Sequence, residues 1–321
     1  MKDTEYAFGV AKIRANENRL LSTAVLESVI AAPSYPDALK ILSDSGFAGL
    51  NEDNVDEVLS DRAEQMFSLV RECAPDGKSL DFLIVKNDFH NAKTVLKAHI
   101  TGSECESFLL SPHITDVKCI KDAVEKKDYD GVPEYMRDAL KEAYQAITKT
   151  LDGQLADIIL DRASLEAQIL LAKQADDEFS IGLANLMTAL SDIKIAFRAS
   201  SMKKTREFYE QSVANCDMLD KSGLTETALK GTNAITDYIS AHGFERIAES
   251  SKKSFAAFEK CIDDELIGYV RDAKYHSLGV SPLVAFSLAC DNEIKNVRIV
   301  LSCKKNGFGE ENIRERVRVT L

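Results

Sequence analysis

Apolar residues recur at three- and four-residue spacing through most of the chain, against a background rich in Ala, Leu, Glu, Lys and Ile. That period belongs to helices that bury one face, so the pattern predicts an all-α protein. The clearest stripe is Phe82, Val85, Phe89, Ala92 and Leu96, with steps of 3, 4, 3 and 4. Prolines punctuate the pattern. "AAPSYPDA" (Pro33, Pro36) follows an early helix, "CAPDGKS" (Pro75) follows a helix around Val55 to Cys73, and "GVPEYM" places Pro133 in a first helical turn, where its ring is accommodated. Gly268 and Gly279 with Pro282 bracket a break before a last long helix. Gly307 and Gly309 are expected to end that helix, with Glu310 and Glu311 favouring the start of another.

The pattern also repeats. Adding 101 to each stripe position gives Leu183, Leu186, Leu190, Ile193 and Phe197, which is equally apolar. A second addition gives Val284, Ser287, Asp291, Ile294 and Arg298, which fails at three of five positions; a stripe one residue earlier, Leu283, Phe286 and Cys290, rejoins at Ile294 and runs on to Val297 and Leu301. A single-residue slip near Asn292 accounts for the mismatch. Lys93, Lys194 and Lys295 keep the 101-residue interval, and upstream Asp61, Asp161 and Asp263 precede them by 32, 33 and 32 residues. The first two of these aspartates open the same Asp-Arg-Ala triplet. Three modules of helix, break and helix are expected, over residues 1–110, 111–212 and 213–321, and such units need one another to close their edges.

Charge changes the picture in one place. The formal net charge is −12, which argues against a protein built to neutralise phosphate backbones. Between Lys295 and Arg318, however, seven Lys and Arg face three Asp and Glu. Two readings stay open for the repeated cations Lys93, Lys97, Lys194, Arg198, Lys295 and Arg298. They form a shared contact surface for a partner, or they are solvated helix faces. Asp61 and Asp161 are placed to bridge to the lysines between helices, and a structural role is the preferred one for them.

Candidate chemistry adds little. Seven scattered cysteines include no C-x-x-C pair, so reduced, mostly buried thiols are expected rather than zinc or a disulfide framework. None of the five histidines follows a Glu by three residues, and neither His-Glu-x-x-His nor a phosphate loop occurs. Asp272 and His276 have the spacing of a surface ion pair on a helix. "GFGEEN" lacks the third glycine and the preceding strand of a dinucleotide loop. No catalytic residue, cofactor, metal, nucleic-acid or small-molecule ligand is expected. The N-terminal "MKDTEYAFGVAKIR" has no apolar signal core, and no run nears the roughly 18 apolar residues of a membrane helix; a soluble chain that is not inserted is expected.

Three stretches carry a resemblance. "YAFGVAKIRANENRLLS" from Tyr6 resembles the first helix of the C subunit of the archaeal and bacterial rotary V/A-type ATPases, relatives of the vacuolar d subunit, down to its Leu-Leu-Ser ending. "LDFLIVKNDFHNAKTVLKAHITG" resembles that family's first repeat hairpin, through Asn91, Lys93 and Leu96. "SPLVAFSLACDNEIKNVRIVLSCKKNGF" resembles its last helix, through Glu293, Lys295, Asn296 and Arg298. The resemblance implies three similar helical modules in a pseudo-threefold funnel. It further implies a non-catalytic rotor adaptor, one copy per complex and monomeric when isolated, held peripherally at the cytoplasmic membrane face between the central stalk and the proteolipid ring. Arg298 stands where the first two copies have Leu96 and Phe197, so threefold equivalence is not expected to be strict. A free helical-repeat scaffold for another complex is the alternative.

Overall fold

The computed structural model describes residues 3–75, 77–150 and 153–320 and is all-α, with no strand among the described residues. Its α-helices are α1 (Ala7–Asn16), α2 (Thr23–Ala31), α3 (Tyr35–Asp44), α4 (Val55–Cys73), α5 (Asp81–Thr101), α6 (Val117–Lys126), α7 (Glu134–Thr150) and α8 (Gly153–Ala175). There follow α9 (Glu178–Ser201), α10 (Arg206–Ser212), α11 (Lys221–Lys230), α12 (Thr232–Ala241), α13 (Glu245–Ser251), α14 (Phe255–Val270), α15 (Ser281–Lys305) and α16 (Glu310–Arg316).

Local chemistry sets these limits. Ser34 accepts from the Asp37 amide at 3.2 Å, and Pro36 sits in the first turn of α3, where it lacks only a donor that would be unpaired. Asp177 caps α9 through the Ser180 amide at 2.8 Å. At the other end of α15, Asn306 closes the helix and Gly307 takes a left-handed φ of 72°, as expected for a glycine stop. The early resemblance misplaces one boundary. The first helix stops at Asn16, and the Ser of the Leu-Leu-Ser ending instead caps α2 by accepting from Val25. Leu20 and Leu21 lie between, outside any α-helix.

The helices gather into two compact units, one of Met1–Gly77 with Glu249–Leu321 and the other of Lys78–Ala248. In the first, α4 and α15 lie side by side, α1 rests on both, and α2, α3 and α16 close the outside. Leu26, Val29, Ile30, Leu39, Leu42 and Phe47 from the N-terminal segment pack with Val297, Val300, Leu301 and Ile313 from the C-terminal one. Gly9 permits the close approach of α1 to α4, because a Cβ there would fall 2.2 Å from the Cys73 carbonyl oxygen. In the second unit α8 is the central helix, with α5, α7 and α9 against it and α11 and α12 against α9. Phe89, Leu96, Ile120, Met136, Leu140, Ile159 and Leu160 form its core with their neighbours.

The predicted stripes are buried, with two departures. Phe197 is half-buried and Ala196 takes the core position. Ile294 is likewise only partly buried, while Cys290, Val297 and Leu301 are core. The Asp272–His276 pair does not form. Residues 271–275 are a 3-10 turn, which breaks the i, i+4 geometry, and His276 Nδ1 instead meets Ser281 Oγ at 2.8 Å.

Candidate partner-binding surface

Two residues before each repeated lysine stands a buried polar side chain: Asn91, Asp192 and Glu293, again 101 apart, with exposures of 0 %, 1 % and 7 %. A polar group at such a site must find partners, and each finds backbone. Asn91 accepts from the Leu110 amide at 2.7 Å and donates to the Leu110 carbonyl at 3.0 Å. Asp192 accepts from the Ala214 amide at 3.1 Å. Glu293 accepts from the Leu21 amide with one oxygen and from Arg62 Nε with the other, at 2.8 Å. Neighbouring positions extend the clasp. Asp88 takes the Ile114 and Thr115 amides and the Thr115 hydroxyl, Asn185 takes the Asp217 amide, and Asn296 both accepts from and donates to Arg318. Each long helix α5, α9 and α15 thus fastens an irregular segment along its side.

The clasps differ in charge. Asn91 is neutral, and Glu293 is matched by Arg62, whose guanidinium also donates to the Gly46 and Arg19 carbonyls and lies 4.7 Å from the Phe47 ring centre. Among the described residues no cation is bonded to Asp192. Burial pushes its carboxyl up to about 7, Glu166 adds to that, and the Ala214 amide and Lys221 only partly offset it. Burial also raises Asp88, although its three hydrogen bonds pull the other way. The Cys290 thiol is raised by burial, and by the nearby Glu293 and Asp291. The seven cysteines are thiols outside any disulfide among the described residues, and four of them are buried.

The six cations expected at a shared surface sit on α5, α9 and α15. Lys93 reaches Asp161 at 2.6 Å and Lys97 reaches Asp157 at 2.7 Å, both on α8. Lys295 reaches Asp263 on α14 at 2.8 Å, and Arg298 lies 3.6 Å from Asp56 on α4. Lys194 and Arg198 follow the same register on α9. The bridge from Asp161 to a repeated lysine therefore forms. Asp61 is exposed, and α4 turns its neighbour Arg62 toward α15.

The basic excess from Lys295 to Arg318 is engaged within the fold. Lys304 donates to the Ala32 carbonyl at 2.6 Å, Lys305 lies 6.0 Å from the Tyr35 ring centre, and Arg316 lies 5.4 Å from that of Phe308. Arg314 pairs with Glu27 and Glu310, and Arg318 with Asp263 at 2.8 Å. Beside α15, Glu17, Leu20, Leu21, Ala285, Phe286 and Ala289 line an open groove of about 460 Å³. Among the described residues no group of three or more His, Cys, Asp and Glu is arranged to hold a metal ion, and no helix is long and apolar enough to cross a membrane.

A helical chain with three matched clasps and no convergent reactive groups is the geometry to set beside known proteins. A sequence model of the family described as ATP synthase (C/AC39) subunit matches residues 9–316. The chain belongs to that family. It is 23 % identical over 314 residues to the C subunit of the V-type sodium ATPase of Enterococcus hirae, covering 95 % of this chain and 96 % of that one. The C subunit of the A-type ATP synthase of Methanocaldococcus jannaschii is 25 % identical, over 96 % of this chain and 85 % of its own length. The C subunit of the V-type ATP synthase of Thermus thermophilus is 23 % identical, over 95 % of each. The family resemblance read from three short stretches thus extends over nearly the whole chain.

Sequence reasoning missed the clasps. Asn91 and Glu293 entered only as positions of the family resemblance, Asp192 not at all, and Arg62 only as the second letter of a triplet. The available signal was the polar-apolar-Lys register at 91–93, 192–194 and 293–295.

Proposed function

We propose that this chain is the non-catalytic adaptor of a rotary ATPase rotor, a socket joining the central stalk to the membrane proteolipid ring so that nucleotide turnover is coupled to ion movement. The observation that carries the reading is the family match over residues 9–316, together with relatives named as the C subunit of V- and A-type enzymes. The clasps suit the role. A part that passes torque must not yield, and close-packed helices whose connecting segments are pinned by buried hydrogen bonds have few soft modes. The same three clasps support three similar modules in pseudo-threefold order, at 1–110, 111–212 and 213–321. On this reading the chain is a single copy per complex, peripheral, at the cytoplasmic face. The row Lys93, Lys97, Lys194, Arg198, Lys295 and Arg298 acts as a brace between helices first, and its solvent-facing ends meet the partner.

Affinity purification of the tagged chain from detergent-solubilised membranes tests this. The catalytic head, the stalk and the proteolipid should co-elute in fixed proportion, and an intact rotary complex lacking this chain would refute the proposal. In the same preparation, deletion of the chain should leave ATP hydrolysis by the head and abolish ion pumping.

A further inference from the structure

One end of the Lys78–Ala248 unit carries cations that the fold does not use. Helix α7 ends at Thr150 and α8 begins at Gly153, and the two pack along each other, so the last turn of α7 and the first turn of α8 lie at one end of the unit. The α9 C-terminus returns to this end, because Lys204 Nζ meets Gln154 Oε1 at 3.1 Å. The α11 C-terminus is brought alongside by Ser200 Oγ, which donates to the Ala228 carbonyl at 2.9 Å. Three helix C-termini, the negative ends of their dipoles, thus converge beside Lys149, Lys203 and Lys230.

These three lysines are exposed and have no side-chain partner among the described residues, in contrast to the seven engaged cations between Lys295 and Arg318. Asp157 and Glu226, carboxylates near this end, are already held by Lys97 and Arg206. Glu207 stands in the first turn of α10. Two exposed apolar side chains adjoin lysines in the chain: Met202, 65 % exposed in the turn after α9, next to Lys203, and Leu229, 40 % exposed in the last turn of α11, next to Lys230. Lys203 itself holds a left-handed φ of 53°, which turns the chain sharply just after Met202.

We propose that this tip is an anionic-lipid contact, with Met202 and Leu229 entering the headgroup region of a phospholipid bilayer and Lys149, Lys203 and Lys230 pairing with phosphates around them. An acidic protein surface would satisfy the lysines alone. The combination of an exposed thioether and an exposed leucine with long ammonium side chains at the same end of the unit is what an anionic interface takes up, because the apolar atoms enter the acyl boundary while the cations stay at phosphate depth. In a chain of net charge −12, such a tip also orients the molecule, since the rest of it is repelled by the same surface.

The test is co-sedimentation of the full chain with vesicles. Binding is expected to mixed phosphatidylglycerol–phosphatidylcholine vesicles at about 50 mM salt, and not to phosphatidylcholine alone. It should weaken strongly at about 500 mM salt. Charge reversal at the tip (Lys149→Glu, Lys203→Glu and Lys230→Glu together) should cost at least about a hundredfold in affinity, from the contribution per basic residue near an anionic surface. Met202→Ser should cost several-fold. A matched control, Lys40→Glu with Lys252→Glu and Lys253→Glu, should retain most of the binding. No binding to anionic vesicles, unchanged binding of the tip variant, or equal loss in the control each overturns the proposal. So does binding to soluble polyglutamate that matches vesicle binding and ignores Met202→Ser, which would assign the tip to an acidic protein. Failure here leaves the adaptor reading standing, because that reading is judged by co-purification in detergent, where no bilayer is present.

Discussion

Glu293 and Arg62 show what one buried side chain controls. Both are buried, at 7 % and 9 % exposure, and four hydrogen bonds through them tie α4, α15, Gly46 and the Arg19–Leu21 segment together. Removing one partner strands the other charge away from water, so Arg62→Ala or Glu293→Gln should each lose about 3–5 kcal/mol of stability. A midpoint shift in urea unfolding measures it. Replacing both by leucine should lose less than either single change, because no unpaired charge remains. Asp192 behaves differently. Its ordinary value of 3.8 rises to about 7 in the fold, so between those pH values the folded chain holds a proton that the unfolded chain has lost. Stability from this group therefore grows as pH falls through about 7 toward 4, and is lost above 7. Asp192→Asn should be more stable than the parent at about pH 8, with the difference fading by about pH 5, in paired unfolding curves.

At the level of elements, the clasps predict local rather than global change. Asn91→Ala leaves the Leu110 amide and carbonyl without partners, at a cost of about 1–3 kcal/mol, and hydrogen exchange should quicken first in residues 105–116. Gly9→Ala must push α1 away from the Cys73 carbonyl, costing about 1–3 kcal/mol by overpacking, with faster exchange in α1 as the marker. The helices, their breaks and the apolar stripes were legible because period and capping are local properties of sequence. Val55 to Cys73 is an example, since the expected helix and α4 coincide. What joins the helices was not legible. Asn91 and Lys93 both look like solvated polar residues in a string of letters, yet one is fully buried and the other bridges to Asp161. Only the rotation of each helix against its neighbour separates them.

At the level of the molecule, the family accounts for a chain that is all-α and has no cluster arranged to hold a metal ion among its described residues. The acidic bulk and the lysine tip of the Lys78–Ala248 unit then form one electrical arrangement. Tip variants should assemble normally into detergent-purified complexes while binding anionic vesicles less, a separation that a change in folding would not produce.

The unit made of Met1–Gly77 and Glu249–Leu321 has a consequence for birth on the ribosome. Thr23 and Thr320 share a hydrogen bond of 2.9 Å, and Leu21 is held by Glu293, so the first helices have only one another and α4 to pack on until residues 293–320 have emerged. The Lys78–Ala248 unit, contiguous in sequence, is free to form first. In the interval Leu26, Ile30 and Leu39 lie open to water. That interval, rather than the finished molecule, is when this chain is most exposed to aggregation and most in need of a chaperone.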